Sequence, residues 1–295
     1  MKTLYVLGSL NMDLVIESDV LPKKGETVTG KNFSTCPGGK GLNQAIAAAK
    51  LGAKVKMLGC IGYDSFGEEM FNTLKKYNVD VSHIKAVKDA SSGIAMILLN
   101  KKDNRIVLDL GANLKIQKTD VDDFLKDAQK GDVFLSQLEN DLSIIGYALE
   151  VAKKKKMRTV INPAPCKIGI KKYAKYIDVL TPNSGEFYEL LKYGKYQQKP
   201  DKLGILHVIE TKGKDGFAYY KNKECFAEKA IKVKVVDTTG AGDTFTGALC
   251  YQLCQEKEIN KTTLRFASLA ASISVTRKGS SVSSPTLDEI NEYLN

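Results

Sequence analysis

The segment VVDTTGAGDTFTGAL, residues 235–249, places the carboxylate of Asp243 directly after three small residues, Gly240, Ala241 and Gly242. Small residues let the backbone curl so that several N–H groups point into one concavity, and the predicted helix that follows adds its positive dipole end. Such a loop favours an anion. A carboxylate inside it repels a phosphate unless it takes a proton from the group that attacks that phosphate. The local alternative is a strand-to-helix turn in which Asp243 serves the first helical turn.

A second glycine-rich segment, CPGGKGLNQ, lies just before another helical pattern. Within it Gly39, Lys40 and Gly41 precede Asn43, so backbone amides and a lysine are available to a polar small molecule. Taken alone, the segment is equally compatible with a turn and with a binding loop. The common nucleotide fingerprints, GxxxxGK followed by Ser or Thr and GxGxxG, do not occur in the sequence.

The composition is that of an ordinary globular protein. The chain has 295 residues and 43% hydrophobic content, enough for one large α/β domain or a domain with a small appendage. It contains no run of about 18 apolar residues, and the opening MKTLYVLGSLNMD turns polar too soon for a signal peptide or membrane helix. These features predict a cytoplasmic protein without a membrane partner.

The cysteine pattern and the charge distribution argue against two classes of protein: those held by disulfides or zinc, and those that bind nucleic acid. The six cysteines are scattered and only two histidines are present, which indicates neither a disulfide framework nor a zinc site. The net charge is +10, but the basic residues are spread out, and the KKKK run at 153–156 has no interleaved aromatic residues for base stacking. We therefore expect no nucleic-acid partner, whereas an anionic substrate such as a nucleotide is compatible with the charge.

Short apolar runs alternate with helical patterns along the chain, from TLYVLGS and GLNQAIAAAKLGA to SGEFYELLKY and ILHVIET. This alternation predicts a three-layer, Rossmann-like α/β fold with a mostly parallel sheet, whose ligands bind at the carboxyl ends of the strands. Polar or turn residues follow several runs at these ends. They are candidate site positions: 8–11, 137–139, 162–163, 182–183 and 211–213.

Two segments, 12–36 and 92–110, break this alternation and read as β-hairpins, the second with a polar KKDN turn. Together they predict a small β-sheet that projects from the main one as a lid. A small sheet cannot bury both faces alone, so we expect it to cover a ligand, pack against a second copy, or both. Alternation places Ile94, Met96 and Leu98 on its exposed apolar face.

Eight short motifs occur along the chain in the same order as in a known protein family. They are GSLNMD, PGGKGLNQA, SQLE, NPAP, LTPN followed by Glu186, TKGKDG, DTTGAGDTFTGAL and VTRKG. Over essentially its whole length the chain resembles the phosphofructokinase-B-like carbohydrate kinase family. The resemblance implies a single sugar kinase domain over residues 1–295, with the lid inserted in the α/β core, and a homodimer formed through the lid.

The implied activity is ATP-dependent phosphorylation of a sugar's terminal hydroxyl, with D-ribose giving ribose 5-phosphate as the leading candidate. A 2-deoxyribose kinase or another sugar kinase of the family is the alternative within the class. A sugar or nucleotide sensor without catalysis is the alternative outside it, and retention of the GAGD loop argues against that reading.

The resemblance also implies site residues. The catalytic group is the base Asp243 with the amides of Gly240, Ala241 and Gly242. The sugar-binding positions are Asn11, Met12, Asp13, Gly39, Lys40, Gly41, Asn43, Glu139 and Asp243. The ATP-binding positions are Asn183, Thr211, Lys212, Gly213, Lys214, Asp215, Gly216, Ala241, Gly242 and Ser268. A polyol requires donors and acceptors in fixed directions, which suits these residue types.

Two metal ions are implied as well. Asn183 and Glu186 would hold Mg²⁺, largely through water. A monovalent cation, K⁺, would be held mostly by backbone carbonyls at Asp237, Thr239, Ser274, Arg277, Gly279 and Ser283. Local alternatives stay open, because Asn183 to Glu186 also reads as a helix capping box and Asp237 as an Asx turn. His207 has no assigned role and reads as a packed or surface residue.

Overall fold

The structure is a computed structural model that describes residues 1–100, 103–192, 200–222 and 224–294. Within these ranges the chain forms a nine-stranded sheet, a separate four-stranded sheet and eight α-helices. The first two residues of the predicted KKDN turn, Lys101 and Lys102, lie outside the described residues, and the other two begin a strand.

The elements follow the predicted alternation. In chain order the strands are β1 Thr3–Leu7, β2 Asn11–Glu17, β3 Lys31–Gly38, β4 Lys54–Gly62, β5 Asp80–Val87, β6 Gly93–Asn100, β7 Asp103–Asp109, β8 Val133–Ser136, β9 Arg158–Ile161, β10 Val179–Leu180, β11 His207–Thr211, β12 Phe217–Lys221 and β13 Glu224–Glu228. The helices are α1 Lys40–Lys50, α2 Ser65–Lys76, α3 Lys118–Leu125, α4 Leu142–Lys154, α5 Ser184–Lys192, α6 Ala241–Cys254, α7 Lys261–Ser274 and α8 Leu287–Leu294. None of the helices in the described ranges is long and apolar enough to cross a membrane.

The large sheet has the order β13-β12-β11-β10-β9-β8-β1-β4-β5. Every neighbouring pair from β11 to β5 is parallel, and β12 and β13 add an antiparallel hairpin at the other edge. The carboxyl ends of the parallel strands therefore meet at one edge, where the predicted site positions lie.

The core explains why the strands are continuous apolar runs. In β1, Leu4 and Val6 join the core cluster shared with α1, α2, α6, α7 and α8, while Tyr5 and Leu7 join the cluster shared with α3, α4 and α5. Because side chains alternate across a strand, a sheet covered by helices on both faces needs apolar residues at every position. The predicted three-layer α/β fold is confirmed.

The small sheet has the order β3-β2-β6-β7. The chain passes from β1 of the main sheet directly into β2 of the small one. The projecting sheet expected from the two hairpin segments is therefore present. Met96 is 57% exposed and lies opposite Val107, which is 69% exposed. Ile94, expected on the exposed face, is half-buried and packs against the main core, because it pairs with the fully buried Met12 at the root of the sheet.

Helices α1 and α6 touch at Gly247. A Cβ atom there would lie 2.7 Å from the Ala47 Cβ and 2.7 Å from the Gln44 carbonyl oxygen. A larger residue would hold the helices apart, so glycine permits their close approach. This approach brings the first turns of the two helices, and the residues they carry, into contact.

Candidate active site

Glu139, just beyond β8, is the centre of a buried polar cluster at the carboxyl ends of the strands. Its Oε2 accepts hydrogen bonds from Ser9 Oγ at 2.5 Å, Asn11 Nδ2 at 3.2 Å and the Lys40 backbone N at 3.4 Å. Only 4% of Glu139 is exposed. Three segments that are far apart in sequence thus present polar groups to one site.

The glycine-rich loop that begins α1 packs directly on the backbone after β1. Gly39 has φ 91°, and a Cβ there would lie 2.7 Å from the Asn11 backbone N. At Gly41 a Cβ would lie 2.5 Å from the Ser9 backbone N, while the Gly41 amide donates to Ser9 Oγ at 3.3 Å. Both glycines are required by this close approach, so the loop is a turn that also lines the polar cluster.

Asn113, which the sequence did not single out, is part of the same cluster. It lies in a 3₁₀ turn, Gly111–Lys115, just after the small sheet, and is fully buried. Its Nδ2 donates to Asn11 Oδ1 at 2.8 Å and to the Leu10 carbonyl at 3.0 Å, while its Oδ1 accepts from the Leu10 N at 2.9 Å. Asn113 therefore fixes the amide of Asn11 so that its Nδ2 faces Glu139.

Asp13, on β2, has a carboxylate that accepts no hydrogen bond from the described residues. It lies over Gly38, where a Cβ would come within 2.6 Å of Asp13 Oδ2. Burial, with the nearby charges of Glu139 and Asp243, raises the pKa of Asp13 to about 7. Asp13 is only partly buried, and its carboxylate oxygens are available to accept hydrogen bonds from a ligand.

Lys40, the first residue of α1, is surrounded by acidic side chains. Burial alone would lower its pKa, but the charges of Asp243, Glu139, Glu186 and Asp13 outweigh burial and raise the pKa above its ordinary value. The ammonium group therefore stays charged. It partly neutralises the negative charge of these four carboxylates.

Asp243 is the third residue of α6 and is 9% exposed. Its Oδ2 accepts from Asn43 Nδ2 at 3.1 Å and its Oδ1 from Gln44 Nε2 at 2.8 Å. Gly240 caps the helix with φ 75°. The Ala241 amide donates to the Thr238 carbonyl at 3.3 Å, whereas the amides of Gly242 and Asp243 have no acceptor among the described residues. A carboxylate and free helix N-terminal amides thus adjoin, but the free amides are those of Gly242 and Asp243, and the predicted Ala241 amide is already bonded to Thr238.

The predicted nucleotide positions form a neighbouring strip. Asn183, after β10, and Thr211, at the end of β11, pair as an isolated parallel bridge. Residues 212–216 form a tight turn in which the Lys212 N donates to the Gly216 carbonyl at 2.8 Å. Lys214 and Asp215 are exposed within it. Ser268 lies apart from this turn, on α7, which packs against α6.

Asn183 and Glu186 form a reciprocal capping box. The Asn183 N donates to Glu186 Oε2 at 2.8 Å, and the Glu186 N donates to Asn183 Oδ1 at 2.9 Å. Burial raises the pKa of Glu186, and the charges of Lys40 and Asp243 also act on it. Among the described residues no three acidic, histidine or cysteine side chains converge as a metal cage. Mg²⁺ commonly uses one or two carboxylates with substrate phosphates and water, and this donor set fits that use.

A loop suited to a cation braces the start of α6. Asp237 accepts from the Thr239 N at 2.9 Å and from the Gly279 N at 3.0 Å, which joins two loops. The hydroxyls of Ser280 and Ser281 are buried without a hydrogen-bond partner among the described residues. Gly240 packs so closely on this loop that a Cβ there would lie 2.9 Å from the Ser280 Cα. Buried hydroxyl oxygens that accept no hydrogen bond can be satisfied by a bound cation, so this loop fits a cation site.

The other predicted cation positions lie in the same loop region. The Ser274 and Ser283 side chains donate to backbone carbonyls within the chain, at 2.9 Å and 2.8 Å. The Arg277 guanidinium pairs with Glu289 at 2.7 Å, so only its backbone is available to an ion.

The geometry defines a class of protein. A carboxylate beside free helix N-terminal amides, next to a polar cluster and a strip of strand-end loops, is the arrangement of a kinase that phosphorylates a polyhydroxylated small molecule. The model of the pfkB family carbohydrate kinases matches residues 1–287, and the chain belongs to this family.

Individual relatives agree with this class. The chain is 39% identical to a ribokinase of Haemophilus influenzae, over 99% of this chain and 98% of that protein. It is 33% identical to a deoxyribokinase of Salmonella typhi, over 98% of this chain and 97% of that protein. The structure of Arabidopsis thaliana ribokinase complexed with ribose and ATP matches with a TM-score of 0.88 and 29% identity, over 100% of this chain and 99% of that one.

Proposed function

We propose that this chain transfers the γ-phosphoryl group of ATP to the 5-hydroxyl of D-ribose, giving ribose 5-phosphate and ADP. The observation that carries the proposal is the position of Asp243, which lies beside free helix amides and within electrostatic reach of Lys40 and Asp13. The relatives named ribokinase support ribose as the substrate. Because ATP is the phosphoryl donor, we assign the reaction to the cytoplasm.

Asp243 acts as the general base. It takes the proton of the sugar's terminal hydroxyl as that oxygen attacks the γ-phosphorus, and the bond from phosphorus to the ADP oxygen breaks on the opposite side. The amides of Gly242 and Asp243, with the helix dipole, stabilise charge on the transferring group. The Ala241 amide can join them only by leaving Thr238, and Gly240 gives the loop the left-handed turn that it needs.

The sugar binds at the polar cluster. Asp13 supplies acceptors, Asn43 keeps a buried Oδ1 without a partner, and Lys40 donates from the opposite side. Asn11 and Glu139 are oriented by the surrounding hydrogen bonds, and Gly39, Gly41 and the Met12 backbone shape the cavity wall. The hydroxyls of a polyol can form the hydrogen bonds that the described residues do not provide to the Asp13 carboxylate and to Asn43 Oδ1.

The nucleotide binds along the strip formed by Asn183, Thr211 and the 212–216 turn, with Ser268 at its far side. When Mg²⁺ is bound, it neutralises charge on the phosphates, and Asn183 and Glu186 would hold it largely through water. The small sheet closes over the sugar as a lid, and residues 1–295 act as one catalytic unit.

An assay across a sugar panel tests the proposal. ADP formation is measured with ATP, Mg²⁺ and K⁺ and with ribose, 2-deoxyribose, arabinose, glucose or fructose. We expect ribose to give the highest kcat/KM. A higher value for 2-deoxyribose would favour the alternative supported by the deoxyribokinase relative. Absence of sugar-dependent ADP formation would refute a kinase function.

We expect K⁺ to activate the enzyme through the loop that Asp237 organises. Activity should rise when K⁺ replaces Na⁺ or a bulky organic cation at constant ionic strength, because an ion of the right size braces the start of α6. Asp237→Ala should flatten this response. As a matched control, Asp120→Ala removes a carboxylate that caps α3, a helix without site residues, and it should keep the K⁺ response. Equal activity of the wild type in all three salts would leave Asp237 as a turn residue only.

We also expect a homodimer formed through the small sheet. Met96 and Val107 form an exposed apolar pair on neighbouring strands, and removing apolar surface from water favours association. The Met96→Asp, Val107→Asp double variant should sediment as a monomer at micromolar concentration. Leu206→Asp changes an apolar residue outside the small sheet that is 45% exposed, and it should stay dimeric. A monomeric wild type would contradict the expectation.

A further inference from the structure

Gln44 is a fully buried side chain with three hydrogen bonds, and none of the roles above uses it. Its Nε2 donates to Asp243 Oδ1 at 2.8 Å and to Asn162 Oδ1 at 3.1 Å. Its Oε1 accepts from Gln137 Nε2 at 2.7 Å. The side chain therefore connects Asp243 to the ends of β8 and β9.

The direction of this network is fixed by a backbone carbonyl. Asn162 Nδ2 donates to the Thr181 carbonyl at 2.7 Å, and a carbonyl oxygen can only accept. Asn162 must then turn its Oδ1 toward Gln44, which in turn must present its Nε2. Both hydrogens of that nitrogen are used, one on Asn162 and one on Asp243. The Gln44 oxygen is left for Gln137, whose own Oε1 is buried without a partner.

Asn43 contacts the other oxygen of Asp243 but is held differently. Its Nδ2 donates to Asp243 Oδ2 at 3.1 Å, while its Oδ1 is buried without a partner among the described residues. The orientation of the Asn43 amide is thus set by Asp243 itself, because a carboxylate oxygen can only accept. Gln44 is the neighbour of Asp243 whose orientation is set by groups other than Asp243.

We propose that Gln44 is a positioning residue for Asp243, because it fixes the rotation of the carboxylate so that a lone pair faces the attacking hydroxyl. The proposal rests on Asp243 being the general base of the proposed kinase reaction. The contact between α1 and α6 at Gly247 keeps the two side chains in register. A base held in one rotation is aligned before the substrate arrives, which lowers the barrier to proton transfer.

The first test is Gln44→Met, which keeps the length of the side chain and removes both polar ends. We expect kcat to fall by about 10- to 100-fold, the range caused by small misplacements of a reacting group, while the KM values for sugar and ATP change by less than about threefold. Thr246→Val is the control. It removes another buried hydrogen bond of α6, between Thr246 and Thr181 at 3.1 Å, and should leave kcat unchanged.

The second test, Gln44→Glu, gives a readout that a purely structural role would not produce. Two adjacent carboxyl groups share one proton, and at low pH the protonated introduced group can donate to Asp243 as the amide does. As pH rises both groups ionise and repel each other. We therefore expect the kcat of Gln44→Glu to fall with increasing pH relative to that of the wild type.

The other charged groups that face Asp243 are Lys40, Glu186 and Asp13, and they are the same in both proteins. Gln137 and Asn162, which face position 44, are neutral. A difference between the two pH profiles therefore reports the introduced carboxyl.

The outcomes separate the two proposals. If the wild type is an active sugar kinase and Asp243→Asn is inactive, but Gln44→Met matches Thr246→Val in kcat, the positioning role is refuted and the kinase function stands. If the wild type forms no ADP with any sugar, the function itself is refuted. If Gln44→Met does not fold, Gln44→Glu decides: a pH profile parallel to that of the wild type overturns the proposal, and one that falls relative to it as pH rises supports it.

Discussion

Asp243→Asn is expected to lower kcat by at least about a hundredfold, while the KM for ribose changes by less than about threefold. The substitution keeps the shape of the side chain and removes its capacity to accept a proton. The introduced amide oxygen can still accept from Gln44, and Asn43 can turn its unpartnered Oδ1 toward the new NH₂ group. The protein should therefore fold normally, so that the loss reports chemistry.

Steady-state kinetics with a coupled ADP assay, together with thermal melting, check this prediction. Asp288→Asn, an exposed change in the first turn of α8, is the control and should match the wild type. Near-normal turnover by Asp243→Asn would remove Asp243 from the role of base. A large rise in KM at unchanged kcat would instead make it a residue that only binds the sugar.

Asp13→Ala is expected to lose most of kcat/KM for ribose, by about 10- to 100-fold, and proportionally less for 2-deoxyribose. A carboxylate that no described residue hydrogen-bonds is available to neighbouring sugar hydroxyls, and each hydroxyl lost or misdirected costs about 1 to 3 kcal/mol. The wild type should accordingly prefer ribose to 2-deoxyribose and to hexoses. Kinetics for both pentoses on both proteins decide the matter, and an unchanged ratio between the sugars would rule out Asp13 as the specificity residue.

Stability separates this role from a purely structural one. The folded-state pKa of Asp13 is raised from 3.8 to about 7, so the folded state binds this proton more tightly than the unfolded state does. Its contribution to stability is therefore lost as pH rises through about 7. Asp13→Asn removes that loss, so the sugar-free variant should have a higher Tm than the wild type at about pH 8, with a smaller difference at about pH 5. A lower Tm at both pH values would indicate a structural cap.

Much of the site could be predicted because the main sheet is parallel and buried. Its strands are continuous apolar runs, each run ends visibly, and the carboxyl ends of parallel strands share one edge. Residues 8–11, Glu139, Asn162, Asn183 and Thr211 can therefore be grouped from the strand pattern alone. The glycine-rich segments can be recognised because close backbone contact at Gly39 and Gly41 tolerates no side chain.

Other features depend on long-range contacts that no local pattern encodes. Asn113 reaches Leu10 from 103 residues away, and Gln44 reaches Asp243 from 199 residues away. In sequence both are ordinary polar residues. Strands β5 and β13 also escape prediction, because these edge strands expose one side and lack the apolar run that marks the central strands. The prediction for Ile94 is wrong because alternation cannot tell where a projecting sheet joins its core.

The most direct test of the central claim, that this chain transfers a phosphoryl group from ATP to the terminal hydroxyl of ribose, is NMR of the product. Wild-type enzyme is incubated with ribose, ATP, Mg²⁺ and K⁺, and coupling between phosphorus and sugar hydrogens is recorded. The phosphorus of the new ester should couple to the two hydrogens on C5, with one ester formed per ADP released. Coupling to the anomeric hydrogen, or ATP consumption without any sugar ester, would contradict the account.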